Sequence, residues 1–182
     1  MLSGMSCQRA AESKLSIRIA ESPDDIAEIR KLFLEYAEWL GFSLCFQGFE
    51  QELATLPGKY AAPEGRLLLA HCDGAIAGCA ALRPIAPGVC EMKRLYVRSQ
   101  FRGHGLGLKL ATHLIAEAQS IGYELMRLDT IPDKMPEAYR MYRQLGFYEI
   151  PAYCDNPQPH PCYMELRLSD VTRPKTGFVE GV

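Results

Sequence analysis

Three alternating glycines leave this chain few ways to fold around residues 100–107. The segment reads QFRGHGLG and runs from Gln100 to Gly107, between a strand-like run that ends at Val97 and a helical pattern that starts at Leu106. Glycine lacks a Cβ atom and adopts positive φ at low cost, so the backbone here can turn tightly and present successive N–H groups. Because the turn opens a helix, the helix dipole favours an anion at this place. The segment therefore predicts a phosphate-binding loop.

The patterns on either side of this loop predict an α/β chain of mixed element order. Asp73-Gly74 joins two strand-like runs as a tight hairpin, so an antiparallel meander of three strands leads into the loop. Apolar periodicity and turn residues place the other boundaries. Strands are predicted over 15–20, 66–72, 75–83, 89–97, 124–130, 147–150 and 162–168, and helices over 23–40, 49–56, 106–121 and 136–145.

Composition and charge exclude several classes of protein. A chain of 182 residues predicts one domain, and its longest apolar run, Ala75 to Leu82, is far short of the roughly 20 residues that cross a bilayer. The formal net charge is −2, although five basic and no acidic residues lie between 92 and 110. A positive window this compact suits a small anion better than a nucleic acid, which needs a broad basic face. A solvated, charged loop is the alternative interpretation.

The cysteines and the termini predict a cytoplasmic protein without a metal centre. Seven cysteines are odd in number and never spaced as Cys-x-x-Cys, which indicates neither a fully paired disulfide framework nor a zinc site. The first fourteen residues lack the apolar stretch of a secretory signal. We expect a polar N-terminal extension over 1–14, a single domain over 15–168 and a polar tail over 169–182.

Two common phosphate-binding motifs do not fit the loop. A dinucleotide fingerprint needs a third glycine where this chain has Leu108 or Leu110, and no Gly-Lys-Ser or Gly-Lys-Thr triplet occurs for a nucleotide P-loop. The pattern Q/R-x-x-G-x-G/A does fit, once from Gln100 to Gly105 and again from Arg102 to Gly107. With EMKRLYV before the loop and AYRMYRQLGF after it, the sequence resembles the GNAT superfamily of acyl-CoA-dependent N-acyltransferases over roughly 15–168.

The resemblance implies a fold and a coenzyme site. The expected fold is a central, twisted, mixed and mostly antiparallel sheet of about six to seven strands with about four flanking helices. Main-chain amides across Arg102 to Gly107 would bind the diphosphate of coenzyme A, in the field of Arg98, Arg102 and Lys109, and the strand edge at Leu95 to Val97 would pair with the pantetheine arm. The implied coenzyme-binding residues are Leu95, Tyr96, Val97, Gln100, Arg102, Gly103, His104, Gly105, Leu106 and Gly107.

The resemblance also implies two catalytic residues. Tyr142 matches the tyrosine that lies near the thioester sulfur in many members, where a neutral phenol can protonate the departing thiolate. Glu91 matches a glutamate that acts as base in several members, and strand alternation predicts that Glu91, Lys93, Leu95 and Val97 share one face. As alternatives, Tyr142 only packs on its helix face, or Glu91 is a structural partner of a neighbouring cation.

The predicted function is transfer of an acetyl group from acetyl-CoA to a primary amine of a small molecule or amino-acid-like compound. The alternative is a non-catalytic acyl-CoA-binding sensor or regulatory module. A small-molecule amine is the expected partner, with no nucleic acid and no membrane, and a homodimer is possible. Segments 41–65 and 151–161 are expected to choose the acceptor. Weaker candidates near the substrate mouth are Asp129, Thr130, Tyr153, Asn156 and His160.

Overall fold

The structure is a computed structural model that describes residues 14–42, 44 and 48–172. One seven-stranded sheet has the order β1-β2-β3-β4-β5-β7-β6, and only the β4–β5 pair is parallel. The strands are β1 Leu15–Ile19, β2 Arg66–Cys72, β3 Ala75–Ala86, β4 Val89–Val97, β5 Leu125–Thr130, β6 Tyr148–Ile150 and β7 Cys162–Arg167. This confirms the predicted mixed, mostly antiparallel fold.

Four α-helices lie in the described part of the chain: α1 Pro23–Leu40, α2 Phe49–Ala54, α3 Leu106–Ile121 and α4 Pro136–Gln144. The start of α1 follows from its sequence, because Ser22 accepts a hydrogen bond from the Asp25 amide and the Asp25 carboxylate accepts one in return. Asp25 also binds Arg18 of β1, whose hydrogen bonds hold the pKa of Asp25 well below its usual range. The cap thus fixes α1 to the sheet.

The sheet is covered on both faces. On one face α3 buries Leu110 and Leu114 against the sheet, and on the other α1 buries Ile29 and Phe33. Along β2, Leu68 and Ala70 pack on the α3 face, and Leu67 and Leu69 pack on the α1 face. This alternation is the period of two that a strand imposes on its side chains. Each functional side chain therefore belongs to a definite face of the sheet.

β4 and β5 diverge soon after they meet. Their pairing covers only Val89 with Leu125, Cys90 with Met126 and Glu91 with Arg127. Beyond this point the two strands no longer pair, so the last six residues of β4 face an opening instead of a neighbour. We call this opening the splay; it lies between 92–97 of β4 and 128–130 of β5. Backbone groups in a splay need partners from elsewhere.

A bulge in β4 changes which side chains face the same way. Lys93 lies opposite Ala81 of β3 and Tyr96 lies opposite Cys79, so two β4 residues oppose a single β3 residue between these pairs. One of the two is Arg94, whose φ of 56° is rare for a residue with a side chain. The bulge thereby reverses the alternation along β4.

The prediction that Glu91, Lys93, Leu95 and Val97 share one face is wrong. Leu95 and Val97 pack against the core under α3. Lys93 lies opposite Ala81, which belongs to the core under α1, and directly opposed residues share a face. The bulge at Arg94 is the reason, since one extra residue moves every later side chain to the other face.

The predicted N-terminal extension, apart from Lys14, and residues 173–182 of the predicted tail lie outside the described residues. Among those described, no helix combines the length and the apolar character that crossing a membrane requires. Within the same ranges, no group of three or more His, Cys, Asp or Glu side chains is arranged to hold a metal ion.

Candidate active site

The N-terminus of α3 opens into free space. Gly105 is the N-cap with φ 71°, and Gly103 has φ 83°, so both use the left-handed region that glycine reaches at low cost. A Cβ atom built on either glycine meets no other atom within 4 Å. No side chain of the residues that the structure describes caps the helix. The positive end of the helix dipole is therefore bare, as an anion site requires.

The amides of this loop point away from internal acceptors, with one exception. The Arg102 amide donates to the Ser99 carbonyl oxygen at 3.2 Å, so it drops out of the predicted set of amides. Within the described part of the chain, the amides of residues 103–107 have no hydrogen-bond acceptor. Five successive free donors at a helix N-terminus form a cradle for a phosphate.

These amides border a groove of about 520 Å³, which we call the α3 groove. One wall is the β4 edge and the glycine loop, and the other is the connection into α4. Of the residues predicted to bind coenzyme, the groove is lined by Leu95, Tyr96, Val97, Arg102, Gly103, Gly105, Leu106 and Gly107. Gln100 and His104 are exposed outside this lining, and the His104 Nδ1 lies 3.0 Å from the Arg102 carbonyl oxygen.

A hydrogen bond and two aromatic rings hold the Arg102 side chain at the mouth of the α3 groove. The Arg102 Nε donates to the Val97 carbonyl oxygen at 2.9 Å, and the guanidinium lies 4.7 Å from the ring centre of Trp39 and 5.9 Å from that of Tyr96. Trp39, the only tryptophan of the chain, is 43% exposed. Sequence reasoning missed Trp39, because it lies off the apolar stripe of α1; its exposure beside the groove is visible only in the fold.

Most of the positive charge that the sequence places between residues 92 and 110 is neutralised by ion pairs. Three of the five cations are held in ion pairs: Lys93 with Asp129 at 3.0 Å, Arg94 with Glu52 at 2.6 Å and Arg98 with Glu35 at 2.7 Å. The prediction that Arg98 adds to the field at the loop is therefore wrong, because Glu35 cancels its charge. Of these five cations, only Arg102 and Lys109 have no acidic partner among the described residues.

A smaller cavity of about 60 Å³ lies in the splay, and we call it the splay cavity. It shares Leu95, Met135 and Ala138 with the α3 groove, so the two spaces adjoin. Its polar lining comes from α1, β4, β5, α4 and the loop after β6: Tyr36, Lys93, Arg94, Asp129, Thr130, Tyr142 and Asn156. An extended ligand in the groove would end among these groups.

Tyr142 places its hydroxyl at the splay cavity. The residue is 7% exposed, and its ring contacts Phe147 edge-on at 5.6 Å between centres. The hydroxyl has no hydrogen-bond partner among the described residues. Burial raises the pKa of Tyr142, so the phenol keeps its proton at neutral pH. The group is thus available as a proton donor.

Glu91 is more tightly held than the sequence indicated. It is 1% exposed, with Oε2 accepting from the Arg83 Nε at 2.7 Å and Oε1 accepting from the Tyr153 hydroxyl at 2.8 Å. The Lys93 Nζ lies 3.8 Å from Oε1. Glu91 lines neither the groove nor the splay cavity as the described residues form them. Any proton it exchanges with the cavity must pass through another group.

A second carboxylate on the same face reaches the cavity directly. Asp129 Oδ1 accepts from the Lys93 Nζ at 3.0 Å and Oδ2 accepts from the Asn156 amide nitrogen at 2.9 Å. Burial acts to raise the pKa of Asp129, but the charge and hydrogen bond of Lys93 outweigh it, so the net pKa is lowered. The fold therefore presents an ionised carboxylate to the cavity. The remaining weak candidate, His160, is exposed and contacts Asp133.

Comparison with known proteins agrees with this geometry. The model of the acetyltransferase (GNAT) family matches residues 26–147. An uncharacterized N-acetyltransferase of Schizosaccharomyces pombe is 40% identical over 159 residues, which cover 86% of this chain and 97% of the relative. A GNAT-family acetyltransferase of Staphylococcus aureus superposes with a TM-score of 0.70 at 19% identity, covering 85% of this chain and 99% of the other.

A second solved structure was determined with a ligand. It is the PaiA N-acetyltransferase of Thermoplasma acidophilum in complex with coenzyme A, with a TM-score of 0.64 at 18% identity, covering 85% of this chain and 99% of the other. At these identities the two solved structures establish the fold alone.

Proposed function

Because the chain belongs to the acetyltransferase (GNAT) family, we propose that it transfers an acetyl group from acetyl-CoA to a primary amine of a small molecule or amino-acid-like compound. The amine attacks directly while both substrates are bound. The observation that carries the proposal is the row of free amides at 103–107, which opens into a groove that leads to the splay cavity.

The coenzyme is proposed to lie along the α3 groove. Its diphosphate accepts hydrogen bonds from the amides of 103–107, beside the unpaired charges of Arg102 and Lys109. Its pantetheine arm carries amide groups, which pair with the β4 edge at 95–97 as an added strand would. The thioester then reaches the splay cavity past the residues that the two spaces share.

The chemistry joins a nitrogen to the acetyl carbon and releases a thiol. The lone pair of the neutral amine forms the C–N bond, the C–S bond breaks, and Tyr142 gives its proton to the departing sulfur. Glu91 is proposed as the final acceptor of the amine's proton, which must reach it through an intervening group because Glu91 does not line the cavity. Asp129, which is paired with Lys93 and Asn156, is proposed to accept a hydrogen bond from an N–H of the neutral amine. Orientation of the two substrates supplies much of the rate.

The experiment that tests the proposal separates binding from turnover. Calorimetry of the purified protein with acetyl-CoA measures binding, and release of free thiol in the presence of a panel of amines and amino acids measures transfer. Binding together with amine-dependent thiol release supports the proposal. Binding without release by any amine favours the acyl-CoA sensor, and absence of binding overturns both.

The remaining parts of the proposal concern partners and location. A small-molecule amine is the proposed partner, and the chain is proposed to act in the cytoplasm. The proposal allows for a homodimer. Light scattering of the purified protein measures the oligomeric state. Neither nucleic acid nor membrane enters the proposed reaction.

A further inference from the structure

One buried hydroxyl at the splay cavity has no hydrogen-bond partner in the part of the chain that the structure describes. Thr130 ends β5 and is 3% exposed, and its Oγ1 atom has no hydrogen-bond partner among the described residues. The residue lines the splay cavity. Buried side-chain oxygens are hydrogen-bonded in the large majority of cases, so an exception beside a cavity calls for an explanation. A buried hydroxyl without a protein partner among the described residues is suited, at such a place, to a ligand atom.

The strand pairing shows on which side of the splay this hydroxyl lies. Along β5, Leu128 faces Met164 of β7, and both pack in the core under α3 that also contains Tyr142. Thr130 is two residues further along, and its opposite neighbour Cys162 packs against the same core. Residues two apart or directly opposite share a face of a sheet. Thr130 and Tyr142 therefore border the cavity from the same face.

The charged groups border the cavity from the other face. Lys93 lies opposite Ala81, which packs in the core under α1. Its ammonium binds Asp129. Asp129 lies between Leu128 and Thr130 on β5, so its side chain points to the opposite face from theirs. The splay cavity thus has two neutral hydroxyls on its α3 face and an ion pair on its α1 face. If the proposed function holds, the hydroxyls on the α3 face suit the thioester and the ion pair on the α1 face suits the amine.

A thioester brings two polar atoms into the cavity, the sulfur and the carbonyl oxygen. The proposed reaction already assigns Tyr142 to the sulfur. The carbonyl oxygen gains negative charge when the amine nitrogen attacks the carbon, and it is stabilised by any donor already aimed at it. We propose that the Thr130 hydroxyl donates a hydrogen bond to the carbonyl oxygen of the bound acyl thioester. This inference rests on the proposed function and adds a catalytic residue to it.

Thr130 forms no covalent bond and loses no proton in this step. As the C–N bond forms, the π electrons of the carbonyl move onto its oxygen, and they return when the C–S bond breaks and the sulfur leaves with the proton from Tyr142. The Thr130 hydroxyl keeps its proton throughout, and its hydrogen bond shortens while the oxygen carries charge.

The main test uses two substitutions of opposite chemistry. Thr130→Val keeps the shape and removes the hydroxyl, whereas Thr130→Ser keeps the hydroxyl. We expect Thr130→Val to lower kcat about thirtyfold and to raise KM for acetyl-CoA no more than severalfold, and Thr130→Ser to retain kcat to within about threefold. The control is Ser120→Ala, which removes a hydroxyl that donates to the Glu117 carbonyl oxygen on α3 and lines neither the groove nor the splay cavity, and we expect it to leave kcat unchanged.

Stability distinguishes this role from a structural one. Because the hydroxyl has no partner in the free protein, removing it is expected to leave Tm of the coenzyme-free Thr130→Val variant unchanged or raised, since it relieves a buried, unpaired group. A structural role would instead lower Tm together with kcat. A Thr130→Val variant with lower Tm and normal kcat per folded molecule overturns the inference.

A binding experiment tests the same contact without turnover. Coenzyme A lacks the acyl carbonyl, so calorimetry is expected to show that Thr130→Val weakens binding of acetyl-CoA severalfold and leaves binding of coenzyme A unchanged. Equal effects on both ligands, or none on either, overturn the inference while wild-type thiol release still supports the proposed function. If the wild type binds acetyl-CoA but releases no thiol, the proposed enzymatic function fails. The contact of Thr130 is then judged only by whether Thr130→Val weakens binding of acetyl-CoA more than binding of coenzyme A. A wild type that binds neither ligand overturns both.

Discussion

The α3 groove and the splay cavity adjoin, yet the groove is formed largely by main-chain groups and the cavity by side chains. The binding groups of the groove are main-chain atoms on one continuous stretch, from the β4 edge at 95–97 to the amides at 103–107. Those of the cavity are side chains that come together from α1, β4, β5, α4 and the loop after β6. A main-chain cradle depends on local conformation, whereas a side-chain cavity depends on the packing of the whole sheet.

Under the proposed function, the α3 groove binds the coenzyme and the splay cavity carries out the acetyl transfer. The groove offers free main-chain donors and the cation Arg102, which has no acidic partner among the described residues, and these groups suit a diphosphate. The cavity contains an ion pair between Lys93 and Asp129 and the hydroxyls of Tyr142 and Thr130, which are suited to an amine and a thioester. Changes in the groove should therefore alter coenzyme affinity, and changes in the cavity should alter turnover.

The largest expected effect is on turnover, from Tyr142→Phe. Loss of the proton donor should lower kcat by about a hundredfold with little change in coenzyme affinity. The control is Tyr36→Phe at the same cavity, where we expect kcat to stay within about threefold because the proposed reaction assigns no proton transfer to Tyr36. Steady-state kinetics of both variants provide the measurement.

The pH dependence of the wild type sharpens this test. Because burial raises the pKa of Tyr142 above its ordinary value, the phenol stays protonated well into the alkaline range, and no loss of kcat between pH 7 and 9 should arise from it. Equal losses in Tyr142→Phe and Tyr36→Phe would contradict the assigned acid.

The next effect is expected from Glu91→Gln. If Glu91 accepts the amine's proton, kcat should fall about thirtyfold. The contacts to Arg83 and Tyr153 give Glu91 a structural role as well, so the free energy of unfolding must be measured by denaturant titration of the same variant. A large loss of stability with unchanged kcat would leave Glu91 as a structural residue and direct attention to Asp129.

Gly105→Ala tests the groove with a smaller effect. The Cβ atom would project into the space proposed for the diphosphate, and the left-handed φ of 71° adds strain, so we expect coenzyme affinity to fall about tenfold and stability by about 1–2 kcal/mol. Gly122→Ala is the matched control, because it has φ 102° at the other end of α3 and equally free space around its Cβ. It should lose similar stability and keep full affinity in calorimetry.

The smallest effect is expected from Arg102→Lys. Lysine keeps the charge but lacks the planar guanidinium that stacks on Trp39, so coenzyme affinity should fall about threefold. Arg98→Lys is the control, since Arg98 is paired with Glu35 and does not line the groove. The fluorescence of the single tryptophan, Trp39, at the groove mouth measures both titrations. Equal affinities of the two variants would remove Arg102 from the coenzyme site.

Much of the fold was predictable because its signals are local. Ser22, Pro23 and Asp25 start α1 through a capping box, and Asp73-Gly74 turns the first hairpin with positive φ at both residues. The side-chain alternation of β2 matches its two buried faces. Each of these features depends on a few consecutive residues and on the preferences of the backbone.

The arrangement of the site was less predictable because it depends on distant partners. Nothing in the residue type of Arg94 indicates a φ of 56°, so the bulge that separates Lys93 from Leu95 could not be foreseen. The pairing of Arg98 with Glu35 joins residues 63 positions apart. Such contacts arise only when the strands and helices are assembled.

Sequence alone determined the glycine loop, the element order and the position of Tyr142 on the last helix, since these follow from backbone preferences and short-range periodicity. Tertiary structure decided which face each β4 side chain occupies, that Arg102 keeps its charge at the groove while Arg98 is paired, and that the Thr130 hydroxyl is buried with no partner among the described residues. The physical reason is that a residue's face and its charge balance are set by the strand or helix packed against it, and that neighbour is seldom close in sequence.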